Sequence, residues 1–419
     1  MTNWSGYRCS LCGEEYAPGE ITYTCPKDGG NVEVVLDTNR IAAAWQPADL
    51  WSSRDPSLWR YLPLLPVSAP AGHETPLGAA GGTPTFAPAR LRAETGLPWL
   101  WVKDESRNPT GSFKDRASAV VVARAREIGA EVVVTASTGN AGAALAGMSA
   151  AVGQRSVIFA PKTAPPAKIA QLLVFGAQVL LVDGTYDEAF DLTIQAAGEF
   201  GWYCRNTGYN PFTLEGKKTA ALEIWEWWER LFRQAQAKPH RRLCIFVSVG
   251  DGNIISGLHK GLRDLQALGW LDETPRIFGV QAEGSAAVAN AFLAGSETIV
   301  PVQANTLADS ISVDLPRDGV RALRAARQTE GAYILVKDEH ILQAIAALGK
   351  AGIFAEPAGA TAYAGLTQAL AQGQVSSEDP VLVLNTGNGL KDVKSAMLAV
   401  GAAPVIAPEL NAVRQALKI

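Results

Sequence analysis

Four short segments of this sequence carry groups that could act together on one ligand. Lys114 offers an amine that can form an imine with an aldehyde, and Asn140 offers both a hydrogen-bond donor and an acceptor. A glycine-rich loop at 250–254 exposes backbone N–H groups ahead of a predicted helix, which suits an anion such as phosphate. Thr386 adds a hydroxyl near the end of another apolar run. Together these groups suit one small phosphorylated aromatic cofactor.

Each segment taken alone also has an interpretation without a ligand. Lys114 is predicted in the first turn of a helix, after a possible N-cap at Ser112, where the helix dipole disfavours a cation. A surface lysine is the simpler interpretation of that position, and the segments around Asn140 and at 250–254 also fit plain strand-to-helix turns. The occurrence of all four segments in one chain is what favours a site.

Alternating apolar and amphipathic stretches predict the elements that position these groups. We predict strands over 131–136, 156–160, 178–182, 244–249, 277–281, 333–336 and 381–384. We predict helices over 114–128, 140–152, 186–200 and 254–268. Strands that alternate with helices indicate parallel sheets covered on both faces. Ligands of such sheets lie at the carboxyl ends of the strands, where the glycine-rich segments fall.

Composition narrows the class of protein. The chain has 419 residues, which predicts two or three domains, and 47% apolar residues, which is enough for a large core. A net charge of −4 argues against a basic face for nucleic acid. No apolar run approaches the roughly 20 residues that span a bilayer, and the first residues do not resemble a secretory signal. We therefore expect a cytoplasmic protein without a membrane partner.

The N-terminal 36 residues contain a pattern close to that of a zinc ribbon. Two residues separate Cys9 from Cys12, and two separate Cys25 from Asp28. Four cysteines in this spacing would strongly predict zinc. With a carboxylate in the fourth position, two alternatives stay open: a zinc site, or a ribbon that folds by packing alone.

The motifs at 108–116 (NPTGSFKDR), 137–140 (STGN), 250–254 (GDGNI) and 385–392 (NTGNGLKD), in this order, resemble those of threonine synthases. The segments 210–212 (NPF), 215–219 (EGKKT) and 356–360 (EPAGA) fit as well, so that the resemblance covers roughly residues 70 to 400. This family belongs to the fold-type II enzymes that use pyridoxal 5'-phosphate (PLP), with the tryptophan synthase β subunit and serine and threonine dehydratases.

The resemblance implies an α/β fold with two open, mostly parallel twisted sheets, helices on both faces, and a small zinc-ribbon-like N-terminal unit. We expect three units. They are the ribbon at 1–36, a large PLP-binding domain at 37–115 and 205–419, and a small α/β domain at 116–204. We also expect a homodimer.

The resemblance also assigns roles at the cofactor. Lys114 would carry PLP as an imine, Asn140 would hydrogen-bond its phenolic oxygen, and Thr386 would hydrogen-bond its ring nitrogen. Phe113 would pack near the ring. The phosphate would lie on the backbone of Gly250, Asp251, Gly252, Asn253 and Ile254.

The implied reaction converts O-phospho-L-homoserine and water to L-threonine and phosphate, with the released Lys114 moving protons at Cα and Cβ. The phosphate of this substrate needs cationic or hydroxyl donors. The candidate donors are Lys103, Arg116, Ser137, Thr138, Arg205 and Lys217.

Some positions depart from the family and leave other substrates open. Asn388 stands where threonine synthases commonly have histidine, and residues 308–316 resemble a dehydratase segment. A threonine or serine ammonia-lyase, or an O-phosphoserine-using β-replacement enzyme similar to cysteate synthase, are the alternatives. A non-catalytic sensor with this fold is a third, but Lys114 and the phosphate loop are both intact. A nucleic-acid module built on the ribbon lacks a basic stripe.

Overall fold

The computed structural model describes residues 3–70, 72–164, 166–232 and 239–419. Its strands are β1 (Trp4–Cys9), β2 (Glu15–Tyr16), β3 (Val32–Leu36), β4 (Thr85–Phe86), β5 (Leu100–Asp104), β6 (Val132–Ala136), β7 (Arg155–Pro161), β8 (Gln178–Val182), β9 (Tyr203–Cys204), β10 (Cys244–Ser248), β11 (Arg276–Ala282), β12 (Tyr333–Val336) and β13 (Val381–Asn385). Its α-helices are α1 (Thr38–Ala44), α2 (Pro47–Ser52), α3 (Ala89–Thr95), α4 (Lys114–Glu127), α5 (Asn140–Ala151), α6 (Pro166–Val174), α7 (Tyr186–Phe200), α8 (Pro211–Phe232), α9 (Asn253–Ala267), α10 (Ala287–Leu293), α11 (Gly319–Gln328), α12 (Asp338–Lys350), α13 (Pro357–Ala371), α14 (Val393–Val400) and α15 (Leu410–Leu417).

The largest sheet has the strand order β12-β11-β10-β13-β5-β4. Neighbouring strands run parallel except at the short edge strand β4, which is antiparallel to β5. Side chains of β13 alternate between two cores. Val381 and Val383 pack with α12 and α13, whereas Leu382 and Leu384 pack with α8 and α9. This alternation covers both faces of the sheet with helices.

A second sheet has the order β8-β7-β6-β9, and all its neighbours are parallel. Its central strand β6 is buried along its whole length. Val132 and Val134 pack in a core with α7, and Ile158 of β7 packs with α5 and α6 on the opposite side. The fold is therefore an α/β fold with two mostly parallel sheets, as the sequence predicted. The domain boundaries at residues 116 and 204 stay a prediction.

Glycines permit close packing behind the main sheet. A Cβ on Gly257 of α9 would lie 2.7 Å from the Cβ of Lys217, and one on Gly261 would lie 2.7 Å from the Lys218 carbonyl oxygen. Without side chains at these two positions, α9 and α8 approach closely, and this contact places Lys217 beside the start of α9.

The N-terminal strands form a separate sheet with the order β2-β1-β3, antiparallel throughout. Trp4, Tyr7 and Val34 bury their side chains in a core shared with α4 and α8. The ribbon therefore packs onto the rest of the protein. Within the described residues, no helix is long and apolar enough to span a membrane.

Candidate functional site

A cavity of about 490 Å³ lies where the carboxyl ends of strands from both parallel sheets meet. Its lining includes Lys114, Ser137, Thr138, Asn140, Thr207, Lys217, Ser248, Gly250, Asp251, Gly252, Asn253, Ile254, Ser310, Arg317, Glu356 and Thr386. Three of the four segments singled out in the sequence contribute through loops that follow a strand, and the fourth contributes the first residue of α4. This is the location expected for a ligand of parallel sheets.

Lys114 is the first residue of α4, whose N-cap is Phe113 rather than the predicted Ser112. The Phe113 N–H donates to the Thr386 carbonyl at 2.9 Å, and the Asn388 N–H donates to the Gly111 carbonyl at 3.0 Å. These bonds join residues 111–113, which precede Lys114 and are called the lysine loop below, to the loop after β13. The Phe113 side chain is fully buried in a core with Ile254 and Leu384, and it lies outside the cavity lining where the sequence placed it.

The Lys114 amine lies among charged groups on the cavity wall. Burial lowers the pKa of Lys114 to about 8, with Asp251 and Glu356 opposing the change and Arg205 adding to it. A lysine with such a pKa is a nucleophile and a proton acceptor near neutral pH.

Asn140 opens α5 and donates its side-chain amide to Glu356 Oε1 at 2.7 Å. Burial raises the pKa of Glu356 to about 7, against the opposing Asn140 hydrogen bond. The loop after β13 lies directly over this carboxylate, because a Cβ on Gly387 would sit 2.2 Å from Glu356 Oε1. Glu356 thereby fixes the orientation of the Asn140 amide, which also makes a longer hydrogen bond, of 3.4 Å, to the Ser310 hydroxyl.

The loop 250–254 has the geometry of an anion site. Gly252 has a φ of +88°, which favours glycine, and is the N-cap of the 15-residue helix α9. No side chain caps this helix end. A Cβ on Gly250 would lie 2.8 Å from the Ile311 Cα, so the neighbouring segment closes over the loop. Uncapped N–H groups at a helix N-terminus fit a phosphate, as the PLP assignment requires.

Asp251 is the acidic residue of this loop. Its carboxylate accepts from the Arg317 N–H at 3.4 Å, and its carbonyl accepts from the Asp318 N–H at 2.8 Å. Burial raises the pKa of Asp251, partly offset by this backbone hydrogen bond and by Lys114. The residue thus links the loop to the segment at 317–318.

Two hydroxyls meet at the ends of adjacent strands. Thr386 Oγ1 follows β13 and lies 3.5 Å from Ser248 Oγ at the end of β10. Both side chains are buried and line the cavity. Sequence reasoning singled out Thr386 alone.

Two buried cations with neutral partners stand beside the cavity. Lys217 Nζ donates to Asn253 Oδ1 at 2.6 Å, and Arg205 donates to Thr207 at 2.7 Å and to Ser118 at 3.2 Å. Arg205 Nη2 is buried with no hydrogen-bond partner among the described residues. Burial lowers the pKa of Arg205 to about 10, and burial together with Lys114 and Arg205 lowers that of Lys217. Such uncompensated positive charge favours an anionic ligand.

The structure places Lys103 and Arg116 outside the cavity lining. Arg116 donates to Glu105 at 2.7 Å and to Glu223 at 2.6 Å, and Lys103 donates to Glu223 at 2.8 Å. All these side chains are buried. Their charges are compensated by carboxylates within the network. Of the other two candidate cations, Lys217 lines the cavity, and Arg205 lies just outside the lining, bonded to the lining residue Thr207.

Sequence reasoning missed several residues of the site. Ser248, Ser310 and Arg317 line the cavity, and no role was predicted for any of them, although Ser310 lies in the dehydratase-like segment 308–316. Glu356 stood in a quoted motif without a role. A signal for it was present, because Pro357 at the first position of α13 marks a helix N-terminus that follows a buried stretch.

The N-terminal cysteines and Asp28 come together as the pattern predicted. Their ligand atoms all lie within 4.8 Å of one another. Cys12 and Cys25 have sulfurs 3.8 Å apart, and Cys9 Sγ lies 3.4 Å from Asp28 Oδ1. A tetrahedral zinc with bonds of roughly 2.3 Å to sulfur and 2.1 Å to oxygen has ligands about 3.5–3.8 Å apart. The donor set fits such an ion.

The chain matches a known family over most of its length. The family model described as pyridoxal-phosphate dependent enzyme matches residues 77–387. Threonine synthase from Methanocaldococcus jannaschii is 37% identical over 416 residues, which are 98% of this chain and 99% of that protein. Threonine synthase from Methanosarcina acetivorans is 35% identical over 413 residues, or 98% of each chain.

Solved structures share the fold. Threonine deaminase isoform 2 from Solanum lycopersicum superposes with a TM-score of 0.64 at 22% identity, covering 80% of this chain and 92% of that one. Diaminopropionate ammonia lyase from Escherichia coli gives a TM-score of 0.65 at 20% identity, covering 84% and 93%. At these identities the likeness concerns the fold alone.

Proposed function

We propose, from the premise that the chain belongs to the family of pyridoxal-phosphate dependent enzymes, that it converts O-phospho-L-homoserine and water to L-threonine and phosphate. The observation that carries this proposal is the identity of 35–37% to threonine synthases over almost the whole chain, combined with a cavity that unites Lys114, the phosphate loop and Lys217.

The residues around the cavity suit PLP. Lys114 would attach the cofactor, the N–H groups of 250–254 would bind its phosphate, and Asn140 would donate to its phenolic oxygen. Thr386, with Ser248 beside it, would hydrogen-bond the ring nitrogen. When bound, PLP supplies an electron sink for the substrate carbon atoms next to the amine, a weaker one where a hydroxyl rather than a carboxylate meets the ring nitrogen.

The side chains of the protein then move protons and bind the substrate. The Lys114 amine, with a pKa of about 8, can take a proton from Cα and return one at a neighbouring carbon. Ser137 and Thr138 present hydroxyls from the loop before α5. Arg205 and Lys217 would bind the substrate phosphate, since each is buried and has only neutral partners in the described part of the chain.

A side-by-side assay tests the proposal. Purified protein is incubated with O-phosphohomoserine, O-phosphoserine, threonine and serine, and phosphate, keto acid and amino-acid products are measured. We expect phosphate and threonine in equal amounts from O-phosphohomoserine alone. Keto acid from threonine as the dominant product would instead identify an ammonia-lyase, and turnover of O-phosphoserine a β-replacement enzyme.

The role of Lys114 is tested separately from the substrate. Lys114→Ala should abolish covalent cofactor attachment, measured as borohydride-fixed PLP on the peptide that contains residue 114. Lys350→Ala, at an exposed position on the end of α12, is the matched control and should retain it. Covalent PLP on the Lys114→Ala protein would contradict the assignment.

We also propose that Cys9, Cys12, Cys25 and Asp28 bind a structural zinc ion. The ligand distances described above support this set. Metal analysis should find about one zinc per chain in the purified protein and less than a tenth in a Cys12→Ser/Cys25→Ser variant. Cys204→Ser, which removes a buried cysteine outside the cluster, is the control. Less than a tenth of an equivalent in the unaltered protein would refute the site.

Two further expectations concern the assembly and location of the enzyme. We propose a homodimer in the cytoplasm. Four exposed apolar side chains on α14 support a contact between copies: Val393, Met397, Leu398 and Val400. Light scattering after gel filtration should give twice the chain mass of 44.3 kDa, and a mass of one chain at micromolar concentration would exclude the dimer.

A further inference from the structure

One side chain of the ribbon is hydrogen-bonded to two segments that contribute residues to the cavity lining. The Asn31 side-chain amide donates to the Gly208 carbonyl and, at 3.1 Å, to the Arg317 carbonyl. Gly208 adjoins Thr207, on the segment that also carries Arg205. Arg317 also lines the cavity and packs against Gly208, where an added Cβ would lie 3.0 Å from the Arg317 carbonyl oxygen. Arg317 precedes Asp318, whose N–H is bonded to the carbonyl of the phosphate-loop residue Asp251.

A second connection runs from the next residue of the ribbon, Val32, into the phosphate loop. Arg321 donates to the Val32 carbonyl at 3.1 Å and to Asp318 Oδ1 at 2.5 Å. Asp318 Oδ2 accepts from Asn253 at 2.6 Å, and Asn253 Oδ1 accepts from Lys217 at 2.6 Å. Apart from Val32 itself, every residue in this chain of hydrogen bonds is a buried charged or amide side chain.

The position of Asn31 is set by the ribbon and not by the cavity. Its own carbonyl accepts from the Ser10 N–H at 2.9 Å and from the Ser10 hydroxyl at 2.8 Å. The preceding residue, Gly30, is bonded through its carbonyl to the Cys25 N–H and through its N–H to Asp28. Hydrogen bonds within the ribbon therefore fix the backbone of Asn31, from which the side-chain amide extends.

We propose that Asn31 is a positioning residue that sets the spacing between the segment 205–208 and the segment 317–318, which is bonded to the phosphate loop. The segment 205–208 follows β9 of the second sheet, whereas the phosphate loop follows β10 of the main sheet. The anions of cofactor and substrate must contact both at once. The inference rests on the proposed function only where it concerns the KM for O-phosphohomoserine. The readout on cofactor affinity depends on the PLP family alone.

The test compares Asn31→Ala with Asn3→Ala. Asn3 lies in the same unit and donates its side-chain amide to the Pro63 carbonyl at 3.1 Å, away from the cavity. Asn31→Ala removes hydrogen bonds to two backbone carbonyls and Asn3→Ala removes one, so both melting temperatures should fall, that of Asn31→Ala somewhat more. Only Asn31→Ala should raise the dissociation constant for PLP, measured by absorbance titration of the apoprotein, and the KM for O-phosphohomoserine, each by about tenfold or more. The kcat at saturating substrate should stay within about threefold.

Asn31→Asp provides a second variant of nearly the same shape. It presents carboxylate oxygens to the Gly208 and Arg317 carbonyls in place of N–H groups, so we expect effects at least as large as those of Asn31→Ala. Dissociation constants and KM values within twofold of the unaltered enzyme in both variants would overturn the proposal. Failure of both to fold would overturn it as well, since a positioning role predicts a folded protein with an altered cavity. If the unaltered enzyme does not turn over O-phosphohomoserine, the proposed function fails while the PLP titration still decides the role of Asn31.

Discussion

Replacing Arg205 by methionine should stabilise the apoprotein and impair substrate binding. Methionine keeps much of the aliphatic volume and removes the charge. The pKa of Arg205 falls by about 2.5, from its ordinary value to about 10, because of burial, and this corresponds to about 3 kcal/mol at neutral pH. The sign follows from the lowered pKa: the folded state disfavours the charged form, and this cost persists until the pH exceeds about 10.

Lost hydrogen bonds offset part of this gain. Arg205 donates to Thr207 at 2.7 Å and to Ser118 at 3.2 Å, and each bond contributes about 1 kcal/mol. The net expectation is a stabilisation of about 1 kcal/mol, measured by urea denaturation of the apoprotein at pH 7. A charge-assisted bond to a substrate phosphate contributes about 1.5–3 kcal/mol, so the KM for O-phosphohomoserine should rise roughly 10- to 100-fold.

Arg116 provides a matched control, since it is equally buried but forms ion pairs with two carboxylates. Although burial alone would lower its pKa, Glu105 and Glu223 raise it. Arg116→Met removes the cationic partner of Glu105 and leaves Glu223 with Lys103 alone, so we expect a destabilisation of about 3–5 kcal/mol with little change in the KM of the folded fraction. A loss of more than 1 kcal/mol in Arg205→Met together with an unchanged KM would refute the reasoning.

Two further predictions concern the carboxylate and the loop beside the cofactor. The raised pKa of Glu356, about 7, means that its contribution to apoprotein stability is present at low pH and is lost as the pH rises from about 4.5 to 7. Glu356→Gln should therefore become more stable relative to the unaltered protein by about 2.5 kcal/mol between pH 5 and pH 8, and parallel urea profiles would contradict this. Gly252→Ala forces a φ of +88° on alanine and places a Cβ 2.7 Å from the Ala322 Cβ, so the dissociation constant for PLP should rise at least about tenfold. In the control Gly269→Ala, where φ is +68° and the space is open, PLP affinity should not change; equal affinity in both variants would argue against the phosphate loop.

The sequence predicted the elements well where the signal is local. The strands expected at 178–182 and 333–336 match β8 and β12, and the helix expected from residue 114 begins there. The short strands β4 and β9, of two residues each, leave too little periodicity to detect.

The residues of the candidate site were likewise predicted correctly where a local motif marks them and misjudged where a distant partner decides their role. Asn140, Thr386 and the loop at 250–254 were predicted because each stands in a glycine-rich turn between elements, and the structure brings them to one cavity. Lys103 and Arg116 were misjudged as free donors because their partner Glu223 lies more than 100 positions away. Side-chain partners at such separations leave no mark on local spacing.

The place of β13 in the main sheet also dictates when the enzyme can assemble. This strand lies between β10 and β5, so strands synthesised early stay apart until residues 381–385 have been made. The lysine loop also cannot take its final position before this stretch is made, since the Phe113 N–H donates to the Thr386 carbonyl. During synthesis the ribosome must therefore release residue 386 before the catalytic cavity can close, and the exposed edges of β10 and β5 need protection from other nascent chains until then.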